Sequence, residues 1–209
     1  MKTYKAVVVG IVGVALVVLL AGWCVVMWSW LVPHGGVTGE PLPARSGAEI
    51  YGATPRDTVY VIDGRQVKLH NGMAEEEMVP GSASKVVTRY FGNEVNADLD
   101  GDGREDVMFL LTQQTGGSGT FFYVVAALNT SKGYIGSQAY FLGDRIAPQT
   151  TEMSNNPRHK NVIVVNYADR APGEPMTAQP SIGKSVWIKL DPLTMQFGEV
   201  VQNFEGESK

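Results

Sequence analysis

The sequence predicts an all-β domain, a single antiparallel sandwich or barrel of about eight to ten strands, preceded by one N-terminal transmembrane helix. Three observations carry this reading. Residues 6–32 form one uncharged, mostly apolar run. Beyond it, short segments that alternate apolar and polar side chains are punctuated by Asp-Gly, Asn-Gly and glycine clusters. Outside the first run, no segment carries a helical period.

The run from Ala6 to Val32 is 27 residues long, and about 20 apolar residues suffice to cross the hydrocarbon of a bilayer. Lys2 and Lys5 precede it and no basic residue follows until Arg45. This bias directs the N-terminus inward and the remaining chain outward. Trp23, Trp28 and Trp30 sit at the exit, where interfacial anchors concentrate. Cys24 follows Leu20-Ala21-Gly22-Trp23, so a lipidated or cleaved form is the alternative, disfavoured by the bulk of Trp23. The expected organisation is a cytoplasmic stub (1–5), an anchor (6–32), an extended Pro/Gly-rich tether (33–56), an extracytoplasmic β domain (57–202) and a polar tail (203–209). The expected location is therefore the bacterial cytoplasmic membrane, single-pass, with the domain on the envelope side.

The domain's strands follow in order. Thr58–Ile62 and Arg65–Leu69 flank Asp63-Gly64, and Asn71-Gly72 follows; both pairs suit type I′ turns, which need positive φ at two successive residues. Lys85–Phe91 is a further candidate. Asp106–Leu111 and Thr120–Leu128 are apolar runs joined across Gly116-Gly117-Ser118-Gly119, which reads as a hairpin of two well-buried strands. Gln138–Leu142, Asn161–Tyr167, Lys184–Leu190 and Thr194–Val201 complete the set, with Val186, Ile188 and Leu190 on one face. Glu75-Glu76-Glu77 reads as a solvated, charged turn.

Beyond residue 32 lie all 21 acidic and 15 of the 17 basic residues. The resulting acidic surface argues against nucleic acid as a partner. Cys24 is the only cysteine, so the domain has no disulfide, thiol nucleophile or cysteine zinc site.

One segment carries chemistry. In Asp98-Leu99-Asp100-Gly101-Asp102-Gly103-Arg104-Glu105-Asp106, carboxylates fall at positions 1, 3, 5 and 9 with glycine at 6. This is calcium-loop spacing: alternate side chains turn inward, glycine permits the bend, and the Arg104 carbonyl supplies the position-7 oxygen. The metal set is thus Asp98, Asp100, Asp102, Arg104 and Asp106, with calcium as the expected ion. Position 12 is Phe109 where an EF-hand has a bidentate glutamate, so weak affinity is expected. A metal-free Asp/Gly turn is the alternative.

The loop resembles the D-x-D-G-D-G-x-x-D loops of FG-GAP and VCBS-type extracellular β proteins. With Gly117-Ser118-Gly119-Thr120-Phe121-Phe122-Tyr123 and Leu142-Gly143-Asp144-Arg145, the chain is similar, over about residues 85–200, to uncharacterised bacterial envelope proteins, many of them membrane-tethered or lipid-anchored. The resemblance implies an all-β fold and an envelope location, and supplies no activity.

No catalytic constellation is complete. His34, His70 and His159 lack zinc spacing, and no Gly-x-Ser-x-Gly elbow is present. Asp144-Arg145 reads as a structural ion pair. The expectation is a non-enzymatic, membrane-tethered calcium-binding module that meets an envelope protein or glycan. The rival is a hydrolase acting on a glycan or ester at an acidic site near residues 98–106, with Asp106, Glu94 and Asp144 gathered in one cleft.

Overall fold

The computed structural model describes residues 51–201, all within the unit that begins at Arg45. Thirteen strands and one 3-10 turn, Pro55–Asp57, make up this region. The strands are β1 (Tyr51–Gly52), β2 (Val59–Ile62), β3 (Arg65–Lys68), β4 (Met73–Glu77), β5 (Lys85–Ala97), β6 (Asp106–Gln114) and β7 (Phe121–Thr130). After them come β8 (Gly133–Gly136), β9 (Tyr140–Asp144), β10 (Ala147–Met153), β11 (Ile163–Asp169), β12 (Ile182–Asp191) and β13 (Gln196–Glu199).

They form three sheets. The largest runs β1-β8-β7-β6-β5-β4, with β9 also paired to β7; the second is β10-β11-β12-β13; the third is the β2–β3 hairpin. All the strand pairs are antiparallel. The central ribbon is β6–β7, in register from Val107↔Ala127 to Gln113↔Phe121.

The side-chain alternation of these two strands builds two cores, because successive residues of a strand point to opposite faces. Met108 and Leu110 of β6, with Phe122, Val124, Ala126 and Leu128 of β7, join Ile163, Val165, Ile188 and Leu190 of the four-stranded sheet. Phe109 and Leu111, with Tyr123, Val125 and Ala127, join Tyr60, Ile62, Val67 and Leu69 of the hairpin. A strand buried on both faces reads as a continuous apolar run, which is why β6 and β7 are the most hydrophobic segments of the domain.

The hairpin reaches its place through backbone and shape. Val61 exchanges hydrogen bonds with the 137–139 segment, its N donating to Ser137 O at 3.1 Å and its O accepting from Ala139 N at 2.7 Å. Gly136 permits the approach, since a Cβ there would sit 2.7 Å from the Tyr60 ring and overlap the Val59 carbonyl oxygen. Both expected I′ turns form: Asp63 and Gly64 have φ of 49° and 77°, Asn71 and Gly72 of 51° and 79°.

The architecture corrects several expectations. No helix among the described residues is long and apolar enough to cross a membrane. A helical span needs about 20 apolar residues, and the one helical turn described has three residues. The anchor expected over residues 6–32 rested on hydropathy and lies outside the described residues, as do the stub and the tail 203–209. Among the described residues the fold class is accordingly all-β, with no membrane-spanning helix. The membrane as partner, the single-pass location and the tethered envelope module are withdrawn with it.

Smaller corrections concern strand edges. The domain starts before residue 57, because β1 and the 3-10 turn fall where a tether was expected. Glu75-Glu76-Glu77 is not a turn but part of β4, the sheet's edge strand, paired with Val87, Val86 and Lys85; charge on an edge discourages pairing with other chains. β10 was hidden by Pro148 and its polar sequence, which an edge strand tolerates. These edge elements account for thirteen strands in three sheets in place of eight to ten in one sandwich.

Phe109 is fully buried against Tyr60, at 5.6 Å between ring centroids, and Tyr90, at 5.1 Å. Phe109→Ala is expected to cost about 3–5 kcal/mol, whereas Leu193→Ala, at a position 94% exposed, should stay within about 0.5 kcal/mol. Denaturant titration of the two variants checks this ranking.

Candidate cation site

The loop between β5 and β6 is tied to the sheet through Asp106. This residue opens β6 opposite Ala97 and is fully buried. Its two carboxylate oxygens accept different backbone amides: Oδ2 takes Leu99 N at 2.8 Å and Oδ1 takes Asn129 N, near the end of β7, at 2.7 Å. Leu99 is buried in the first core, and its carbonyl accepts Asn161 Nδ2 at 3.0 Å. The loop therefore has an apolar foot and a buried carboxylate foot.

Asp98 organises the tip. Its Oδ1 accepts Gly101 N at 2.6 Å and Asp102 N at 3.1 Å, and its Oδ2 accepts Gly103 N at 3.0 Å. Asp100 Oδ1 accepts Asp102 N at 3.0 Å. Gly101 and Gly103 have φ of 87° and 85°, a region where glycine carries no steric penalty. The sequence pattern is thus matched by the turn it predicts.

Oxygens of Asp98, Asp100 and Asp106 lie within 4.8 Å of one another, so these three carboxylates can coordinate a divalent ion. Asp102 is directed elsewhere: its side chain pairs with the Arg104 guanidinium and accepts Arg104 N at 2.8 Å. Arg104 Nε also donates to the Asn129 carbonyl at 2.5 Å, and Asn129 Nδ2 returns a bond to the Glu105 carbonyl at 3.3 Å.

The electrostatics separate two of the three acids. Burial pushes the Asp106 carboxyl above the ordinary aspartate value against the pull of the Asn129 and Leu99 amides, and the charges of Asp100 and Asp102 add to the rise. Asp98 feels an upward push from desolvation, but the amides of Gly101, Gly103 and Asp102 outweigh it, so its carboxyl lies below the ordinary value. A cation among the three would relieve the mutual repulsion that the loop otherwise carries.

The other expected constellations separate in space. Asp144 lies opposite Phe121 at the far end of β7 from Asn129, accepts Thr120 N at 2.9 Å and pairs with Arg145 Nη2 at 2.9 Å. It is the structural pair that was expected, and Asp106, Glu94 and Asp144 are not gathered in one cleft. His70 is exposed. His159 is half-buried with Nδ1 3.0 Å from Ser154 Oγ, which also accepts Asn156 N at 3.3 Å. No salt bridge joins His159 to a carboxylate among the described residues, so the contact closes a turn and lacks the acid of a triad. His34 lies outside the described residues.

Sequence reasoning missed the amides of Leu99 and Asn129 that hold Asp106, because backbone donors leave no signature in side-chain spacing. It also missed a surface cleft formed by Arg56, Glu94, Asn96, Glu105 and Tyr134, which come from four separate segments. No family model, curated protein or solved structure matches the chain.

Asp106→Ala is expected to leave the buried Leu99 amide and the part-buried Asn129 amide unpaired, at about 1–3 kcal/mol for the first and less for the second. Asp106→Asn, which keeps one acceptor, should lose less. Chemical denaturation in the presence of chelator would rank the two; equal stability of all three proteins would deny Asp106 its tethering role.

Proposed function

We propose that the domain binds calcium through the 98–106 loop. The observation that carries this reading is the convergence of Asp98, Asp100 and Asp106. Calcium accepts six to eight oxygens in a flexible geometry, which suits a loop of carboxylates and a carbonyl better than the strict octahedron of magnesium. Three carboxylates and no nitrogen or sulfur favour a hard cation. Asp102 and the Arg104 carbonyl, at positions 5 and 7 of the loop, would complete the shell once the Arg104 guanidinium gives way to the ion. Calcium there holds the loop at the entry of β6, so binding is coupled to stability.

A second reading is hydrolysis of a glycan or ester at an acidic site near residues 98–106. The acidic cluster supports it better than a membrane-tethered role, because Asp98 and Asp106 are shifted in opposite directions, the condition under which neighbouring carboxyls divide acid and base work. Release of nitrophenol from nitrophenyl acetate and nitrophenyl glycosides, abolished by Asp98→Asn, would establish it. Equal release by wild type and variant would refute it.

Calcium at about five times its dissociation constant should add about 1 kcal/mol to stability. Asp100→Asn should remove the calcium-dependent rise in melting temperature, and identical melting in chelator and millimolar calcium would refute the reading. Arg104→Ala should tighten binding about two- to fivefold, because it frees Asp102 from a surface ion pair worth about 0.2–1 kcal/mol. Calorimetry measures that change directly.

Affinity should fall with acid. The raised Asp106 carboxyl takes up a proton before an ordinary aspartate does, and coordination requires the deprotonated form. Calcium binding should accordingly release protons below neutral pH and weaken steadily as pH falls toward 4, about the ordinary aspartate value. Titrations at several pH values, in buffers of different ionisation heat, report both effects.

A further inference from the structure

We propose that the cleft bounded by Arg56, Glu94, Asn96, Glu105 and Tyr134 binds a neutral, polyhydroxylated ligand, one or two sugar units in size. The cleft is open to solvent and has a volume of about 450 Å³, within the range of small-molecule sites. It borders the cation loop through Glu105 but uses none of the loop's clustered carboxylates, and its occupancy does not rest on the cation.

Arg56 is set in place from three directions. Its guanidinium carbon lies 3.9 Å from the centre of the Tyr90 ring, its Nη2 donates to Glu94 Oε1 at 3.3 Å, and its backbone carbonyl accepts Gly72 N at 2.8 Å. The Asn71-Gly72 turn packs closely beneath: a Cβ on Gly72 would meet Tyr90 Cβ at 2.9 Å. Two planar polar groups, guanidinium and carboxylate, are therefore held side by side with donors and acceptors to spare. Adjacent hydroxyls of a sugar present the complementary pattern, one accepting and one donating. Asn96, whose side-chain amide has both kinds of group, and Glu105 extend the polar wall, while Tyr134, packed on its other side against the second core, lines the cleft.

Charge decides between ligand classes. An anion would meet the carboxylates of Glu94 and Glu105. A cation would meet the Arg56 guanidinium, find Glu94 already paired and have Glu105 alone as a partner. Glu105 takes part in no salt bridge among the described residues, so it remains an acceptor for a hydroxyl. A neutral ligand with several hydroxyls avoids both repulsions and uses every group.

The test is calorimetric titration of the full chain with maltose, cellobiose and N,N′-diacetylchitobiose, in calcium and separately in chelator, with spermidine and citrate as charged comparators. At least one disaccharide is expected to bind with a millimolar or tighter dissociation constant, equally in both buffers. Asn96→Ala and Glu105→Ala, both at exposed positions, should each weaken it at least tenfold at unchanged melting temperature. Without any substitution, the Asn96 side-chain amide resonances of the wild-type protein should shift on adding the disaccharide. Absence of binding by all three sugars, binding that leaves the Asn96 resonances unmoved, or binding of a charged comparator in their place overturns the proposal. Loss of the calcium-dependent melting shift with sugar binding intact would count against the cation reading alone.

Discussion

The β6–β7 ribbon is covered on both faces, and the position of every other element follows from that constraint. An antiparallel pair with one wet face needs a single partner layer. A pair with apolar residues at every position needs two. The four-stranded sheet β10–β13 supplies one cover and the β2–β3 hairpin the other. Phe109 and Met108 are neighbours in sequence, fully buried, and belong to different cores. A one-residue slip of register would exchange the two sets of side chains and leave neither cover a matching surface.

The same constraint explains the buried polar groups, which serve to end or join the ribbon. Ser137 bridges from the 137–139 segment to β7, with Ala126 N donating to its Oγ at 2.8 Å and its own hydroxyl donating to Gln138 O at 2.8 Å. Thr88 and Gln113 meet across β5 and β6 at 3.2 Å. Asp106 stands where β6 begins and holds the ends of two neighbouring segments with one carboxylate. Each of these groups is satisfied, as buried polar groups must be if they are not to cost more than an apolar replacement.

Placing the acidic loop at the mouth of this ribbon gives it leverage. A flexible Asp/Gly turn far from the core would bind an ion with little consequence for the rest. Here one of the three converging carboxylates is itself a buried fastener, and the loop's Leu99 is part of the first core. Charge at the loop and packing in the core are therefore linked through a few covalent bonds. The cleft beside it is built differently, from residues that meet only because the 3-10 turn and strands β5, β6 and β8 come together at one corner.

Local sequence determined the elements whose physics is local. The Asp63-Gly64 and Asn71-Gly72 turns, the apolar runs that became β6 and β7, the glycine-rich connection between them and the turn at residues 98–106 were all legible, because positive φ, two-residue periodicity and Asp-to-amide bonds act over a few residues. The short or polar strands β1, β4, β8 and β10 were not, because their side chains carry little apolar signal and their place is fixed by the strands they pair with. At the site, spacing identified Asp98, Asp100 and Asp106, and the tertiary structure alone turned Asp102 toward Arg104 and supplied Asn129 as the partner of Asp106. The Arg56–Glu94 pair spans 38 residues, and nothing local to either residue specifies the other. Sequence by itself determined that residues 51–201 form a β domain with one acidic turn. Only the packing of two covers onto one ribbon decided which carboxylate is buried, which remain free to take a ligand, and where a cleft opens.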